Sequence, residues 1–483
     1  MKDNSIENTN KKWELGRRDF LKGMGAMGIG MGMMPVLSLF GLEAKAEAVA
    51  EEAETAADAA IAAGAVDHFA LNMTSNEEVA HSDALMEAVL KEAEVTSDLT
   101  LSDGTVIPAV YVRMRNRINR IGKGIGSIPN GNSFQMIQYL WSEEDAENYL
   151  KMPLHKLFTA ADYAECSGYD EEKALEILED QAHRNLIWRV RRGGLAFFSQ
   201  MPYINGFWEF GELQRYYQED MAAVAEFDSQ GIAGADPNNE GGFNTTFPLF
   251  RTYPISADVC KDGKLENWQD WRALIKRQSM ITVSPCQCRT MWEALGVPYP
   301  EEHPTRTCLS LGEMAEYFIE NGIGEQITPD EAIEIVEDII DKGMVVESIC
   351  AKNADIICCC HGQSCGNLMG WRGINGEGCA SQFFSAYTLE YDADKCVKCQ
   401  ACVNICPMSS ITMDGPDGTC VMDKACVRCG QCVKVCPVQA RILTPTPDYP
   451  ELPDDYLDCN KYFAKDRMRR GELVDFTDST LEV

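Results

Sequence analysis

Eight cysteines in the C-terminal part of the chain follow one spacing twice, and a proline follows each run. The runs are Cys396-x₂-Cys399-x₂-Cys402-x₃-Cys406 and Cys426-x₂-Cys429-x₂-Cys432-x₃-Cys436. Three thiolates two residues apart can each take one corner of a cuboidal metal–sulfur cluster, and the proline turns the chain away after the fourth. Zinc sites pair two C-x₂-C units and do not need this run. A disulfide framework would have no reason to repeat it, so the spacing predicts a duplicated, loop-rich metal domain.

The doubled run resembles that of bacterial two-cluster ferredoxins. The resemblance implies a ferredoxin domain over residues 387–445 with two [4Fe-4S] clusters, in which each run lends its fourth cysteine to the other cluster. It implies the following ligand sets: Cys396, Cys399, Cys402 and Cys436 for one cluster, and Cys426, Cys429, Cys432 and Cys406 for the other. Cys420, between the runs, fits neither pattern, and a small buried hydrophobe is the favoured interpretation over a spare ligand. Two adjacent clusters of this kind carry electrons.

A second group of cysteines precedes the ferredoxin segment and is densest in CCCHGQSC, residues 358–365. Adjacent cysteines cannot all form disulfides of acceptable geometry. If Ile356 and Ile357 begin a strand, Cys358 and Cys360 would face one way and Cys359 the other, so at least one of the three is expected simply to pack. This second group comprises the cysteines between residues 286 and 379: Cys286, Cys288, Cys308, Cys350, Cys358, Cys359, Cys360, Cys365 and Cys379.

Some of these thiols are expected to converge. Cys286 and Cys288 can provide two ligands from a tight turn, Cys308 a third, and the loop with Gly362 and Gly366 the rest. The predicted metal ligands are Cys286, Cys288, Cys308, Cys358, Cys359, Cys360 and Cys365. A third Fe–S cluster is the main hypothesis, with a zinc site or plain packing as alternatives. His361 is either a ligand or, more in keeping with a lone histidine beside cysteines, a polar neighbour.

The N-terminus reads as an export signal. Residues 16–22, GRRDFLK, precede an uncharged run and the small-residue site Ala44-Lys45-Ala46. This resembles a twin-arginine signal peptide over residues 1–46, which implies export of a folded protein to the periplasm or the outer face of the membrane. A retained transmembrane anchor is the alternative, disfavoured by the glycines and Pro35 of the run. Residues 47–130 are interpreted as an acidic Ala/Glu-rich linker and N-terminal extension.

An α+β fold is expected for the rest. Residues 131–246 read as a winged-helix-like domain: Thr159 with Asp162 opens one helix, Asp170 opens another, and strands are predicted at 186–190 and 195–198. Residues 247–386 read as a cysteine-rich α/β domain with two capped helices, one opened by a capping box of Ser310 and Glu313 and one by residues 328–331. Residues 446–483 are a C-terminal tail. The winged-helix region carries four arginines, interpreted as a protein-docking patch: Arg184, Arg189, Arg191 and Arg192.

The strongly negative net charge of the chain limits the kinds of partner that it can bind. Seventy-five acidic residues against 43 basic ones give a net charge of −32, which repels nucleic acid and anionic lipid and favours cationic partners. We therefore expect a redox partner protein or a membrane-bound electron donor, and no nucleic acid. No G-x-G-x-x-G flavin fingerprint follows the leader.

The order FPLFRTYPI, CQCR, a capped helix pair, ICCC and the double run is similar to a group of iron–sulfur proteins of anaerobes, named only "4Fe-4S binding protein". The resemblance extends from Phe134 to the end and implies several Fe–S centres. The main hypothesis is an exported electron-transfer protein or subunit that feeds a partner oxidoreductase in anaerobic metabolism. One alternative is a terminal reductase, since reductive dehalogenases share the leader and two C-terminal clusters. This chain departs from them because its second run is complete and no corrinoid domain is recognisable. The other alternative is a redox-sensing winged-helix regulator.

Overall fold

The computed structural model describes residues 79–101, 104–122, 131–210, 248, 250–369, 383–415, 418–423, 425–446, 452–469, 471, 473 and 475–476. The predicted signal peptide, Cys379 and the first part of the predicted linker lie outside these residues. The described chain mixes helices and strands, as an α+β fold requires. None of its helices combines the length and the apolar character needed to cross a membrane.

The helices, with their bounds, are α1 Asp83–Leu90, α2 Ala109–Asn119, α3 Gly131–Leu140, α4 Glu143–Leu150, α5 Ala160–Ser167, α6 Glu171–His183, α7 Trp271–Lys276, α8 Gln287–Leu295, α9 Glu313–Glu320, α10 Pro329–Asp341, α11 Ala401–Ile405, α12 Gln431–Lys434 and α13 Tyr456–Arg469. The strands are β1 Leu99–Thr100, β2 Val106–Ile107, β3 Trp188–Arg192, β4 Leu195–Ser199, β5 Phe250–Tyr253, β6 Ile281–Pro285, β7 Arg306–Leu311, β8 Glu325–Gln326, β9 Val345–Ile349, β10 Ile356–Cys360, β11 Phe383–Phe384, β12 Tyr387–Tyr391, β13 Ile411–Thr412, β14 Val421–Met422 and β15 Arg441–Pro445.

Helices α3 to α6 and the β3–β4 hairpin follow the order expected from the sequence. The capping box of Thr159 and Asp162 at α5 is confirmed, and Asp170 caps α6 through a hydrogen bond from the Lys173 backbone N–H. Gly168 ends α5 in the left-handed conformation with φ of 77°, which glycine adopts without steric cost. Whether this segment is a winged helix stays a prediction.

The arginines of the hairpin pair within the chain. Arg189 forms ion pairs with Glu179 at 2.7 Å and Glu320 at 2.5 Å, and Arg192 forms a two-pronged pair with Glu313. The expected docking patch therefore joins the hairpin to α9, and these guanidinium groups are occupied by carboxylates of the same molecule. An exposed basic wing of the kind that a DNA-binding regulator needs is not formed by these residues.

A seven-stranded sheet with the order β11-β5-β9-β10-β7-β6-β8 forms the middle of the chain. Its pairs are antiparallel except β11 with β5. The capping box predicted at Ser310 and Glu313 is wrong: Ser310 is part of β7, and α9 starts after Gly312, whose φ is +57°. The helix start predicted at residues 328–331 is confirmed, and the structure shows a capping box of Thr328 and Glu331 there.

Both ends of the described chain are folded. Residues assigned from the sequence to the extension form α1 and α2, and residues assigned to the tail form α13, which packs on α1. Arg467 of α13 is fully buried and donates to the backbone carbonyl and the side chain of Asn119 in α2. The tail was not recognised as a helix because several of its buried positions are polar, so its apolar periodicity is weak.

Candidate metal centre

The two cysteine runs have the same backbone conformation, offset by thirty residues. Lys398 and Arg428 both have φ of 57°, and Gln400 and Gly430 are both left-handed at 66° and 90°. These turns direct backbone N–H groups at sulfur: Lys398 donates to Cys396 Sγ at 3.4 Å, Ser410 to Cys406 Sγ at 3.3 Å, and Ala440 to Cys436 Sγ at 3.2 Å. Such bonds stabilise thiolate ligands and tune cluster potentials. The duplication read from the sequence is thus present in the fold.

Cys406 joins the cysteines of the second run. Burial raises the pKa of Cys429, and the nearby sulfur atoms of Cys406, Cys426 and Cys432 raise it further. Cys420 is buried and its sulfur lies 3.7 Å from Cys402 Sγ. It packs with Ile411 beside the ligand thiols, in keeping with its interpretation as a small buried hydrophobe.

The two runs differ sharply in exposure. Val397 in the first run is 58% exposed, while Val427, its counterpart in the second, is 2% exposed. Cys399 is exposed and Cys429 is buried. The first run therefore faces solvent, and the second is packed against the rest of the protein.

Hydrogen bonds at three places help to hold the ferredoxin segment on the middle of the chain. The buried side chain of Gln431 donates to the carbonyls of Ile340 at 2.9 Å and Met344 at 2.8 Å. The Ile255 N–H donates to the Cys429 carbonyl at 3.0 Å. The N–H of Gly362, inside CCCHGQSC, donates to the carbonyl of Pro407 at 3.0 Å, and a Cβ at Gly362 would lie 2.5 Å from that oxygen. The thiol loop thus lies directly against the residue that follows Cys406.

The sheet brings the second group of cysteines together. In the strand registers, Cys358 pairs with Glu347 of β9, and Cys308 pairs with Ser284 of β6. Because residues opposite one another, and residues two apart on a strand, share a face, Cys308, Cys358, Cys360 and Glu347 lie on one face of the sheet. Cys359 pairs with Val346 on the opposite face, as alternation predicts.

The remaining thiols, from the start of α8 and from the loop after β10, lie beside this face of the sheet. Cys286 precedes α8 and Cys288 lies in its first turn, so both are at the positive end of the helix dipole, which favours thiolates. Side-chain contacts link Cys286 to Cys288, Cys288 to Cys365, and Cys365 to Cys360. Six of the seven predicted ligands therefore converge: Cys286, Cys288, Cys308, Cys358, Cys360 and Cys365. The seventh, Cys359, is separated by the sheet, and Cys350 lies elsewhere, near Cys459.

The electrostatics of this thiol pocket suit a metal. Burial raises the pKa of Cys308, and hydrogen bonds from the Cys288 and Cys360 thiols lower the pKa of Cys365 while the pKa values of those two partners are raised. Backbone N–H groups of Arg289, Gly366 and Leu368 are directed at the sulfurs of Cys286, Cys288 and Cys365, respectively. A metal displaces thiol protons and compensates the cost of clustering sulfur atoms in a dry pocket.

Arg289 and His303 were not identified from the sequence, because nothing in their local pattern marks them. The fully buried guanidinium of Arg289 donates to Thr307 and to the Cys359 carbonyl, and brings a positive charge to the thiol pocket. The ring of His303 lies 4.3 Å from that of His361, and its Nδ1 is 3.0 Å from Ser364 Oγ. Burial lowers the pKa of both histidines, so both are neutral near pH 7.

A cleft of about 450 Å³ opens beside the thiol pocket and is lined by Glu293, Tyr299, His303 and Thr305, among others. Tyr299 donates a hydrogen bond to Glu293 and lies 3.0 Å from Thr305 Oγ1. The carbonyl of Thr305 accepts a hydrogen bond of 2.7 Å from the Cys286 N–H. The cleft and the thiols therefore share a wall.

Comparison with known proteins identifies one segment. A family model for the 4Fe-4S dicluster domain matches residues 395–440, so this segment is an iron–sulfur domain with an electron-transfer role. No curated protein and no solved structure matches the chain.

Proposed function

We propose that this chain is an iron–sulfur electron-transfer protein whose two [4Fe-4S] clusters connect its surface to a third, buried metal centre. The residues that would hold this centre are Cys286, Cys288, Cys308, Cys358, Cys360 and Cys365. In this proposal the clusters supply one-electron carriers at the surface and beside the thiol pocket. The chain itself fixes the order of these sites and keeps water from the inner ones.

The observation that carries the proposal is the contact between the thiol loop and the ferredoxin segment. Gly362 follows Cys360 and His361, and it bonds to Pro407, the neighbour of Cys406. A side chain at residue 362 would clash with that carbonyl. A thiol pocket that only filled a core would not require its loop to approach a cluster ligand so closely.

The different solvent exposure of the two cysteine runs suggests the direction in which electrons would pass through the clusters to the thiol pocket. The first run, with exposed Val397 and Cys399, is where a redox partner can approach. The second run is shielded from solvent, and Cys406, the implied fourth ligand of its cluster, precedes Pro407, which the thiol loop contacts. We therefore propose that electrons enter at the first run from a partner protein or membrane-bound donor. The charge of −32 favours a partner with a basic docking surface.

Metal and sulfide analysis with EPR on anaerobically purified protein tests the third centre. The ferredoxin clusters account for eight irons, four from each, so the wild type should contain more metal than this. Cys286→Ala and Cys360→Ala should lose the surplus and keep the two ferredoxin signals. Cys166→Ala, at an exposed cysteine of α5, is the control and should match the wild type. Eight irons in the wild type and no other metal would contradict the proposal.

Export is proposed from the GRRDFLK leader. A reporter protein that folds only after twin-arginine export should become active outside the cytoplasm when fused to residues 1–46. Replacing Arg17 and Arg18 with lysine should abolish that activity. A reporter that stays in the cytoplasm with the native leader would place the protein there.

A terminal reductase is the second candidate, and the cleft favours it. It shares a wall with the thiol pocket and offers groups that can hold a small polar molecule: the Tyr299 hydroxyl, the His303 ring and the Glu293 carboxylate. If this candidate is correct, a small-molecule acceptor should reoxidise the reduced protein, and Tyr299→Phe should slow the reaction without changing the metal content. A corrinoid or flavin that co-purifies would also support it. Reoxidation at the same rate in both proteins would exclude a role for the cleft.

A further inference from the structure

Glu347 is a buried acidic residue in the middle of a fully buried strand. β9 reads VVESI, and all five residues are buried, with Glu347 at 0% exposure. The carboxylate is surrounded by β5 and β10, through register pairs with Thr252 and Cys358. Acidic side chains are almost never fully buried unless they are paired or bind a metal.

Glu347 interacts with the Cys360 thiol, which is itself one of the clustered sulfurs. By strict hydrogen-bond geometry, neither of its carboxylate oxygens has a partner among the residues that the structure describes. No ion pair reaches it from the described lysines, arginines or histidines. The hydroxyls of Thr252 and Ser310, on the same face of the sheet, are also buried without a partner. This face of the sheet therefore holds oxygen atoms as well as sulfur atoms that require a further binding partner.

The carboxylate is directed at the thiols. One Glu347 oxygen, Cys360 Sγ and Cys365 Sγ all lie within 4.8 Å of one another. Three donor atoms at such separations can be bridged by one metal ion, since metal–sulfur and metal–oxygen bonds are each about 2.0–2.3 Å long. Cys360 also contacts Cys358, and Cys365 contacts Cys288. The three-atom group is therefore part of the thiol pocket and not a separate site.

We propose that Glu347 is an oxygen ligand of the third centre and binds the same metal ion as Cys360 and Cys365. This deepens the proposed function and rests on it. The ferredoxin clusters are held by sulfur alone, whereas here one metal ion has both sulfur and oxygen ligands. A carboxylate is a harder ligand than a thiolate, so the ion that Glu347 holds differs chemically from ions with sulfur ligands alone.

The test compares metal content and Mössbauer spectra of ⁵⁷Fe-labelled wild type with those of Glu347→Ala and Glu347→Gln. The wild type should show a component beyond the two ferredoxin clusters. Glu347→Ala should lose at least one metal ion per chain or shift that component, and Glu347→Cys should restore the metal with a sulfur-type spectrum. Asp355→Asn is the control: Asp355 lies next to Ile356 at the start of β10 and has its pKa raised to about 8 by burial, and its charged neighbours are Asp455, Glu313 and Arg192, not cysteines of the thiol pocket. It should match the wild type.

Two outcomes separate this inference from the proposed function. If the wild type contains only eight irons and no other metal, the third centre is absent and both fail. If the third centre is present and Glu347→Ala leaves its metal content and spectrum unchanged, only the ligand role of Glu347 is refuted. If Glu347→Ala fails to fold, Glu347→Gln, which has the same shape, decides: a wild-type spectrum in that variant also refutes the ligand role.

Discussion

Gln431 is the residue through which the second cluster run is fixed to the middle of the protein, and its replacement by alanine should loosen that junction. The side chain donates hydrogen bonds to the backbone carbonyls of Ile340 and Met344. Without Gln431, the Ile340 carbonyl still accepts a hydrogen bond from the Gly343 N–H, whereas the Met344 carbonyl has no other protein donor among the described residues. Leaving one buried acceptor unpaired costs about 1–3 kcal/mol, and losing a bond whose acceptor stays paired costs about 0.5–1.5 kcal/mol. Gln431→Ala should therefore lower the free energy of unfolding by about 2–4 kcal/mol.

Anaerobic urea titration followed at two wavelengths measures this loss. The ferredoxin segment, residues 387–445, contains no tryptophan, so cluster absorbance reports mainly on that segment and tryptophan fluorescence on the rest. The two transitions should coincide in the wild type and separate in Gln431→Ala, with the absorbance lost first. Lys434→Ala removes an exposed ion pair to Asp341 on the same junction, at 2.6 Å, and should cost less than about 1 kcal/mol. A Gln431→Ala protein within 1 kcal/mol of the wild type, with coincident transitions, would refute this account of the junction.

Three further outcomes follow from the structure. Gly362→Ala should lower the stability by about 1–3 kcal/mol in the same titration because its Cβ meets the Pro407 carbonyl, whereas Gly366→Ala, four residues on and with only ordinary contacts, should not. Burial and nearby carboxylates raise the pKa of Asp355 to about 8, so its stabilising contribution is lost as the pH rises through that value; urea unfolding at pH 6 and pH 8.5 should show a fall in the wild type that Asp355→Asn lacks. Arg189→Met should cost about 1.5–3 kcal/mol because it removes a buried guanidinium that bonds Glu179 and Glu320, although Arg191 still pairs with both carboxylates. The exposed Arg192→Met should cost under about 1 kcal/mol in thermal unfolding.

Features set by local sequence were predicted well. The cluster runs, the capping box at Thr159, the helix start at 328–331 and the cap at Asp170 all depend on residues within a few positions of each other. The box at Ser310 failed because β7 continues through that residue, and pairing with β6 and β10 outweighs a local capping preference.

The thiol pocket was predicted only in part, for a physical reason. Strand alternation correctly separates Cys359 from Cys358 and Cys360, since it is a local rule. The position of Glu347 beside these thiols depends on which strands are neighbours and on their register, and neither is encoded locally. The one signal available was an acidic residue inside the apolar run VVESI, which alone could equally have marked an edge strand.

At two adjacent positions the two cysteine runs differ in sequence in a way that the fold explains. At the position after the second cysteine, the first run has Gln400 and the second has Gly430, both left-handed. A Cβ at Gly430 would lie 2.6 Å from Val259, so the docked run needs glycine there, whereas the solvent-facing run tolerates glutamine. The next position is Ala401 in the first run and the docking residue Gln431 in the second. A freely diffusing ferredoxin has no need for either change. The second run is therefore adapted to a fixed contact inside this protein, and in the proposed relay the exposed first run is the one that meets a redox partner.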